Sequence, residues 1–394
     1  MTDPIVIVSA ARTPMGSFQG VLSPLSTTDL GAAAIKAAVS RAGISAEDVE
    51  EVMMGCVLPA GLGQAPARQA SIKGGIPLSA GCTTVNKVCG SGMKTAMLAH
   101  DALKAGTVDV IVAGGMESMT NAPYVLPKAR GGMRMGHGTV VDHMFMDGLE
   151  DAYFDKGGLM GTFAENTADK YEATREEQDA FAIESLNRAK KATEAGHFKE
   201  EIEPLTVKGR KSETVVDTDE QPFAVDTNKI PKLRPAFRPD GTVTAASSSS
   251  ISDGAAALVM MRKSEADKRG IKPLASIQAH ATHSQEPCWF TTAPVGAINK
   301  VLDKAGWSSE EVDLYEINEA FAIVTIAAIR DLNLSPEKVN VNGGACALGH
   351  PIGASGSRLI VTLLHALKQT GGTKGIASLC IGGGEATAMA IELL

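Results

Sequence analysis

In the stretch VNKVCGSGMKTAM (85–97), Cys89 stands directly before a Gly-Ser-Gly turn at the mouth of a helical run. Unpaired N–H groups and the positive end of the dipole at a helix start favour a thiolate, the form in which cysteine is a nucleophile. Far along the chain, GGACALGHPIGASG (343–356) sets His350 in a Gly/Pro-rich loop just ahead of a second helical run. A histidine there can accept a thiol proton. LCIGGGEA (379–386) ends a strand-like run on Cys380 and three glycines, whose backbone can approach a ligand closely and donate N–H groups. EINEAFA (316–322) places Asn318 and Glu319 after an apolar, strand-like segment.

These residues need elements to hold them, and the chain reads as α/β. Runs such as IVIVSA (5–10) and VDVIVAGG (108–115) alternate with Ala-rich helical runs such as DLGAAAIKAAVSRAG (29–43), as buried strands with crossover helices do. The chain also repeats itself. RAGISAEDVEEVMMG (41–55) matches KAGWSSEEVDLYEIN (304–318), and SGMKTAMLAHDALKAG (91–106) matches SGSRLIVTLLHALKQT (355–370). A repeat this long is a duplicated domain rather than a solenoid. If the two halves pack about a pseudo-twofold axis, the helices after Cys89 and near Ser355 are equivalent, and their N-termini approach one place. Between the halves lies a region, roughly 119–248, rich in Gly, Met and charge, with a helical stretch at 174–196 and a basic KGRK at 208–211. It reads as an inserted loop domain.

Composition removes several functional classes. A 394-residue chain with 44% hydrophobic residues buries a large core without staples. The six cysteines form no C-x-x-C pair and no disulfide framework, so free thiols and no zinc site are expected. A net charge of −8 argues against nucleic-acid binding. No signal peptide or apolar run of membrane-spanning length is evident, and a cytoplasmic location without membrane association is expected.

Taken singly, each candidate also has a structural reading. A buried cysteine is usually a small inert hydrophobe, which is how Cys56, Cys82, Cys288 and Cys346 are read. A lone histidine is commonly a surface or capping group, the reading kept for His100, His137, His143, His197, His280, His283 and His365. CIGGG alone is a turn and Asn318 alone a helix cap. AGGMESM (113–119) reads as mainly structural. Joint occurrence at corresponding points of a duplicated chain is what favours chemistry at Cys89, His350, Cys380 and Asn318.

Over nearly its whole length the chain resembles the thiolases, and more narrowly those of biosynthetic, acetyl-CoA C-acetyltransferase type. The resemblance is carried by RTPMGSFQG, GQAPARQA, VCGSG, AGGMESM, GTVTAASSSSISDGAAAL, NEAFA, GHPIGASG and CIGGG. It implies a thiolase fold, with two duplicated βαβαβαββ halves in a layered α-β-α-β-α arrangement and an inserted loop domain. The corresponding boundaries are 1–118 plus 249–270 for the first half, 119–248 for the loop domain and 271–394 for the second half. It also implies reversible condensation of two acetyl-CoA to acetoacetyl-CoA through an acyl-cysteine, with coenzyme A and acetyl-CoA as substrates and no tightly bound cofactor or metal. By resemblance Cys89 is the nucleophile, His350 activates it, and Cys380 removes the α-proton of the second acetyl-CoA. His350 and a water on Asn318 then serve the enolate oxygen, while the N–H groups of Cys89 and Gly382 form a second oxyanion hole. Ser249, near Ala245, would contact the pantetheine. Phe237 and Phe321 would line the cofactor channel, and Met160 would floor the acyl pocket. The stretch 128–148 resembles the loop that joins two tight dimers, so a homotetramer is expected.

Departures from the pattern bear on specificity. Leu159 stands where histidine is common, a serine run at 247–250 replaces a Gly-Asn-Ala-Ser-Gly pattern, and CWFTTAP (288–294) puts Trp289 and Phe290 where a glycine-containing loop is usual. No basic residue for the adenine end is evident between Glu220 and Asn228. The main alternative is a broad-range 3-ketoacyl-CoA thiolase. A decarboxylating ketoacyl synthase would lack the cysteine of CIGGG, a noncatalytic coenzyme A or lipid-binding relative would be expected to lose one of the four reactive positions, and a thiol-redox protein would not need Asn318 or His350.

Overall fold

The computed structural model describes residues 3–153, 158–209 and 212–394. The last two residues of the basic stretch at 208–211 lie outside the described residues. The first half runs β1 (Ile5–Arg12), α1 (Thr27–Ala42), β2 (Glu51–Gly55), α2 (Pro66–Lys73), β3 (Gly81–Val85), α3 (Ser91–Ala105) and β4 (Val110–Ser118). An intervening region then contributes α4 (Met160–Lys170) and α5 (Arg175–Glu194) before β5 (Ser252–Arg262). The rest of the chain is β6 (Ala275–Ser284), α6 (Ala293–Ala305), β7 (Leu314–Ile317), α7 (Ala322–Asp331), α8 (Ser355–Thr370), β8 (Lys374–Ile381) and β9 (Glu385–Leu393).

The duplicated sequence segments fold alike because they carry the same local instructions. α1 stops at Gly43 and α6 at Gly306, both in the left-handed region at φ 68°, where a side chain would be strained. Each is followed by a short 3₁₀ turn in a capping box, Ser45 with Asp48 and Ser308 with Glu311, and then by a strand. The sheet order repeats as well. The first half reads β3-β2-β4-β5-β1, and the second reads β7-β8-β9-β6, with a parallel bridge from Tyr315 to Val339 in the place of β3. The two sets join through β1 and β6 at Val6–Ser276 and Ile7–Ala275. With Gly16–Ser17 on β5, this makes one mixed ten-stranded sheet.

Alternation along the strands creates the layers. Val110 and Val112 face a core with α1 and α2, whereas Ile111 and Ala113 face a core with α3 and α8. Likewise Met389 and Ile391 face α3 and α8, and Ala388 and Ala390 face α6. The expected α-β-α-β-α arrangement is therefore present, with α3 and α8 as its middle layer. Residues 355–364 of α8 are all buried, as a helix packed between the two halves of the sheet requires.

α3 and α8 touch at their first turns. A Cβ on Gly92 would come within 2.8 Å of the Ser357 backbone nitrogen, and one on Gly356 within 2.3 Å of the Met93 nitrogen. Only glycine fits at either position, and the two occupy equivalent places in the repeat. The intervening region is anchored by a buried charge cluster, in which Arg12 of β1 bonds Glu201 at 2.5 Å and Asp219 at 2.7 Å. Among the described residues, no helix is long and apolar enough to cross a membrane.

Candidate active site

Cys89 is set by a tight loop ahead of α3. Asn86 Oδ1 accepts the Val88 N–H at 2.9 Å, and Ser91 Oγ donates to the Val88 carbonyl at 2.6 Å while accepting the Lys87 N–H at 2.8 Å. These bonds hold Val88 at φ 45°, a costly conformation for a β-branched residue and a kind of strain that clusters at functional sites. The same loop is pressed against the CIGGG segment. A Cβ on Gly90 would lie 2.3 Å from Ile381 Cδ1, and Lys87 is ion-paired with Glu385. Cys380, at the end of β8, is the neighbour of Ile381 in that segment and so is brought to the Cys89 loop.

His350 arrives on the loop before α8. Its N–H donates to the Ser250 carbonyl at 3.2 Å and to Ser252 Oγ at 3.3 Å, so the serine-rich segment holds the histidine backbone. Ser355 Oγ donates to the Pro351 carbonyl at 2.9 Å and therefore accepts from His350 Nδ1 at 2.6 Å. That bond places the imidazole proton on Nδ1 and leaves Nε2 as the free base. The Asn318 amide nitrogen lies 3.4 Å from both ring nitrogens, and Asn318 Oδ1, although buried, has no hydrogen-bond partner among the described residues. Such an orphaned acceptor beside the imidazole can hold a water.

Burial decides the charge states. The Cys89 thiol is pushed up to about 11 by burial, against the N–H groups of Gly382 and of Cys89 itself, which favour the thiolate. Removal from water therefore outweighs the helix start that the sequence reading relied on. Burial, helped by the Arg358 charge, lowers His350 to about 3, so it is a neutral imidazole at physiological pH. Cys380 is raised well above the usual thiol range by burial and then by Cys89. The resting site therefore holds two thiols and one neutral base.

These groups open on a cavity of about 220 Å³ lined by Cys89, His350, Gly382 and a largely apolar wall. Phe237, Phe290 and Phe321 pack edge to face, with ring centres 5.9 Å apart for Phe237–Phe321 and 6.5 Å for Phe290–Phe321. A larger cavity of about 370 Å³, between α5 and α7, is lined by Ser185, Glu319 and two arginines but by no cysteine or histidine, so the thiol chemistry sits in the smaller one.

The model for the thiolase N-terminal domain matches residues 5–264, and that for the thiolase C-terminal domain matches residues 271–393. The chain belongs to the thiolase family. An acetyl-CoA acetyltransferase of Pseudomonas aeruginosa is 51% identical over 98% of both chains. Acetyl-CoA acetyltransferase 2 of Arabidopsis thaliana is 52% identical over 99% of this chain and 97% of its own. Among solved structures, Acat5 thiolase from Ascaris suum in complex with coenzyme A superposes with a TM-score of 0.94 at 43% identity, covering 99% of this chain and all of the other. The acetyl-CoA acetyltransferase of Bacillus anthracis gives 0.97 at 41% identity over 100% and 99% of the two chains.

In this thiolase the cavity wall contains four of the five residues expected to bind cofactor: Ser249, Phe237, Phe321 and Met160. Ala245 is exposed and is not part of that wall. Asn318 and Cys380 are buried and do not line it. The CWFTTAP loop divides its aromatics. Phe290 points inward and is 3% exposed, while the Trp289 ring lies beneath Lys170, whose ammonium is 4.3 Å from the ring centre.

Glu117, in the segment read as mainly structural, has a definite task. Its carboxylate accepts the N–H groups of Val57 at 2.9 Å, Leu58 at 3.2 Å and Gly353 at 2.9 Å, tying the His350 loop to the first half. Without it three buried donors lose their partner, at about 1 to 3 kcal/mol each. Its buried place and role depend on contacts 60 and 236 positions away, which no local motif displays.

A neutral thiol and imidazole make a testable pair. The rate of iodoacetamide alkylation at Cys89, followed by peptide mass mapping, should climb about tenfold per pH unit between about pH 7 and 9, as thiolate forms below its midpoint. A rate already level at neutral pH contradicts the neutral pair. His350→Ala should lower thiolysis kcat by about 10²- to 10⁴-fold, the usual worth of a positioned base.

Proposed function

We propose that this chain catalyses the reversible condensation of two acetyl-CoA to acetoacetyl-CoA and coenzyme A through an acetyl-Cys89 intermediate. The observation that carries the reading is the meeting of Cys89, a neutral His350 and Gly382 at one small apolar cavity, with Cys380 in the segment packed on the Cys89 loop. Relatives about half identical over the full chain bear acetyl-CoA acetyltransferase names, and one superposable thiolase was solved with coenzyme A. The sequence boundaries 1–118 plus 249–270, 119–248 and 271–394 are kept as our division into first half, loop domain and second half. No other cofactor is needed by this chemistry.

The steps balance with the groups at hand. Cys89 Sγ attacks the acetyl-CoA carbonyl as its proton passes to His350 Nε2, and the oxyanion rests between the N–H groups of Cys89 and Gly382. Preorganised donors of this kind are worth about 10²- to 10³-fold in rate. The C–S bond to coenzyme A breaks, and the departing sulfur takes the Cys380 proton. Cys380 is then a thiolate, and its high proton affinity makes it a strong base. It removes a methyl proton from the second acetyl-CoA, while the imidazolium of His350 and a water on Asn318 stabilise the enolate oxygen. The enolate carbon attacks acetyl-Cys89, the Cys89 thiolate leaves, and it recovers the proton stored on His350.

A cavity of about 220 Å³ is smaller than the roughly 300 Å³ at which ligand pockets usually begin, so it suits a short acyl group and the tip of the pantetheine. Met160 and Phe290 both contribute to its wall, so the expected preference for short chains rests on two side chains rather than one. Thiolysis kcat/KM should be at least about tenfold higher for acetoacetyl-CoA than for 3-ketodecanoyl-CoA, and Met160→Ala should narrow that ratio. Equal values for the two substrates contradict the short-chain reading and identify a broad-range enzyme.

The stretch 128–148 leaves Met133, Met135 and Val140 in water in the single chain, with Met135 98% exposed. Such a patch fits an assembly surface. We take the protein to be a cytoplasmic homotetramer, and light scattering that finds only dimers contradicts the assembly.

A further inference from the structure

Two histidines read from sequence as surface groups meet across the halves. His100 and Asp101 sit on α3, and His280 sits on β6. His100 Nδ1 is 3.0 Å from Asp101 Oδ1, His280 Nε2 is 2.9 Å from the same oxygen, and the two ring nitrogens are 3.2 Å apart. The rings stand edge to face at 4.9 Å, so both present a nitrogen to one point. The side chains are 18% and 16% exposed for the histidines and 57% for the aspartate, which leaves the point open to solvent on one side.

We propose that His100, Asp101 and His280 form a binding site for a late first-row divalent cation such as Zn²⁺, Ni²⁺ or Co²⁺. Adjacent ligand atoms on a metal with bonds of about 2.0 to 2.2 Å stand roughly 2.9 to 3.5 Å apart, and all three sides of this triangle fall in that range. Two imidazoles and one carboxylate select nitrogen-preferring metals over Mg²⁺ or Ca²⁺, with water filling the remaining positions. Lys304 donates to the His280 carbonyl at 3.1 Å and not to the ring. Bound metal would clamp α3 to a strand of the second half, at the end of the helix remote from Cys89.

The test is Co²⁺ titration of the full-length protein in a non-thiol reductant, followed by visible absorption and calorimetry. The expected result is one Co²⁺ per chain, a spectrum without sulfur-to-cobalt charge transfer, and a higher melting temperature. His100→Ala, His280→Ala and the exposed Asp101→Asn should each weaken binding about tenfold or more. Metal-free thiolysis should be unchanged in all three, which shows that they fold. Should a histidine variant fail to fold, Asp101→Asn alone decides the matter. Wild-type affinity no greater than that of the folded variants, or a band diagnostic of thiolate ligation, overturns the site.

Discussion

Two helices from opposite halves cross where neither can carry a side chain, and the site depends on that crossing. Gly92 and Gly356 let the first turns of α3 and α8 come into backbone contact. Other glycines continue the seam. A Cβ on Gly115 would lie 2.1 Å from the Gly353 carbonyl oxygen, and one on Gly55 2.7 Å from the same atom. Overpacking a core by even small amounts costs about 1 to 3 kcal/mol, and here the obstacle is backbone that cannot swing aside. The loops that enter these two helices carry Cys89 and His350. Closeness of the helix starts therefore becomes closeness of nucleophile and base, and Glu117 fixes the relation by binding both loops' neighbourhoods.

Once the groups are gathered, removal of water sets their chemistry. The helix start offers N–H groups to sulfur, yet burial raises Cys89 to about 11, and the same burial keeps His350 neutral with its midpoint near 3. The site thus rests uncharged and forms an ion pair only when a thioester arrives to use it. Ser355 contributes by fixing the tautomer, which leaves Nε2 as the acceptor. The strained Val88 and the glycine-rich turn after Cys380 are local conformations maintained by their surroundings, including the Lys87–Glu385 ion pair.

The sequence made the frame legible because duplication repeats both pattern and punctuation. The helix-ending glycines, the capped 3₁₀ turns and the paired Ser-Gly helix starts are short-range signals, and each folds as its residues direct. Catalytic candidates were legible through motif and resemblance together. Features built from distant pairs were not. Which of Trp289 and Phe290 faces the cavity depends on Lys170, more than a hundred residues earlier, offering its ammonium to the indole. The convergence of His100 and Asp101 with His280 depends on a helix of one half meeting a strand of the other. The charge state of Cys89 is not legible from local position, because burial is a property of the whole fold.

The central claim is that this gathered geometry makes Cys89, and no other thiol, the acyl acceptor. Brief mixing with acetyl-CoA, acid quench and peptide mass mapping of wild type, Cys380→Ser and Cys89→Ala tests it directly. The account predicts acetyl on the Cys89 peptide in wild type and, to a reduced extent, in Cys380→Ser, with none in Cys89→Ala. Acetyl on Cys380 in wild type, or its loss from Cys380→Ser as complete as from Cys89→Ala, contradicts it.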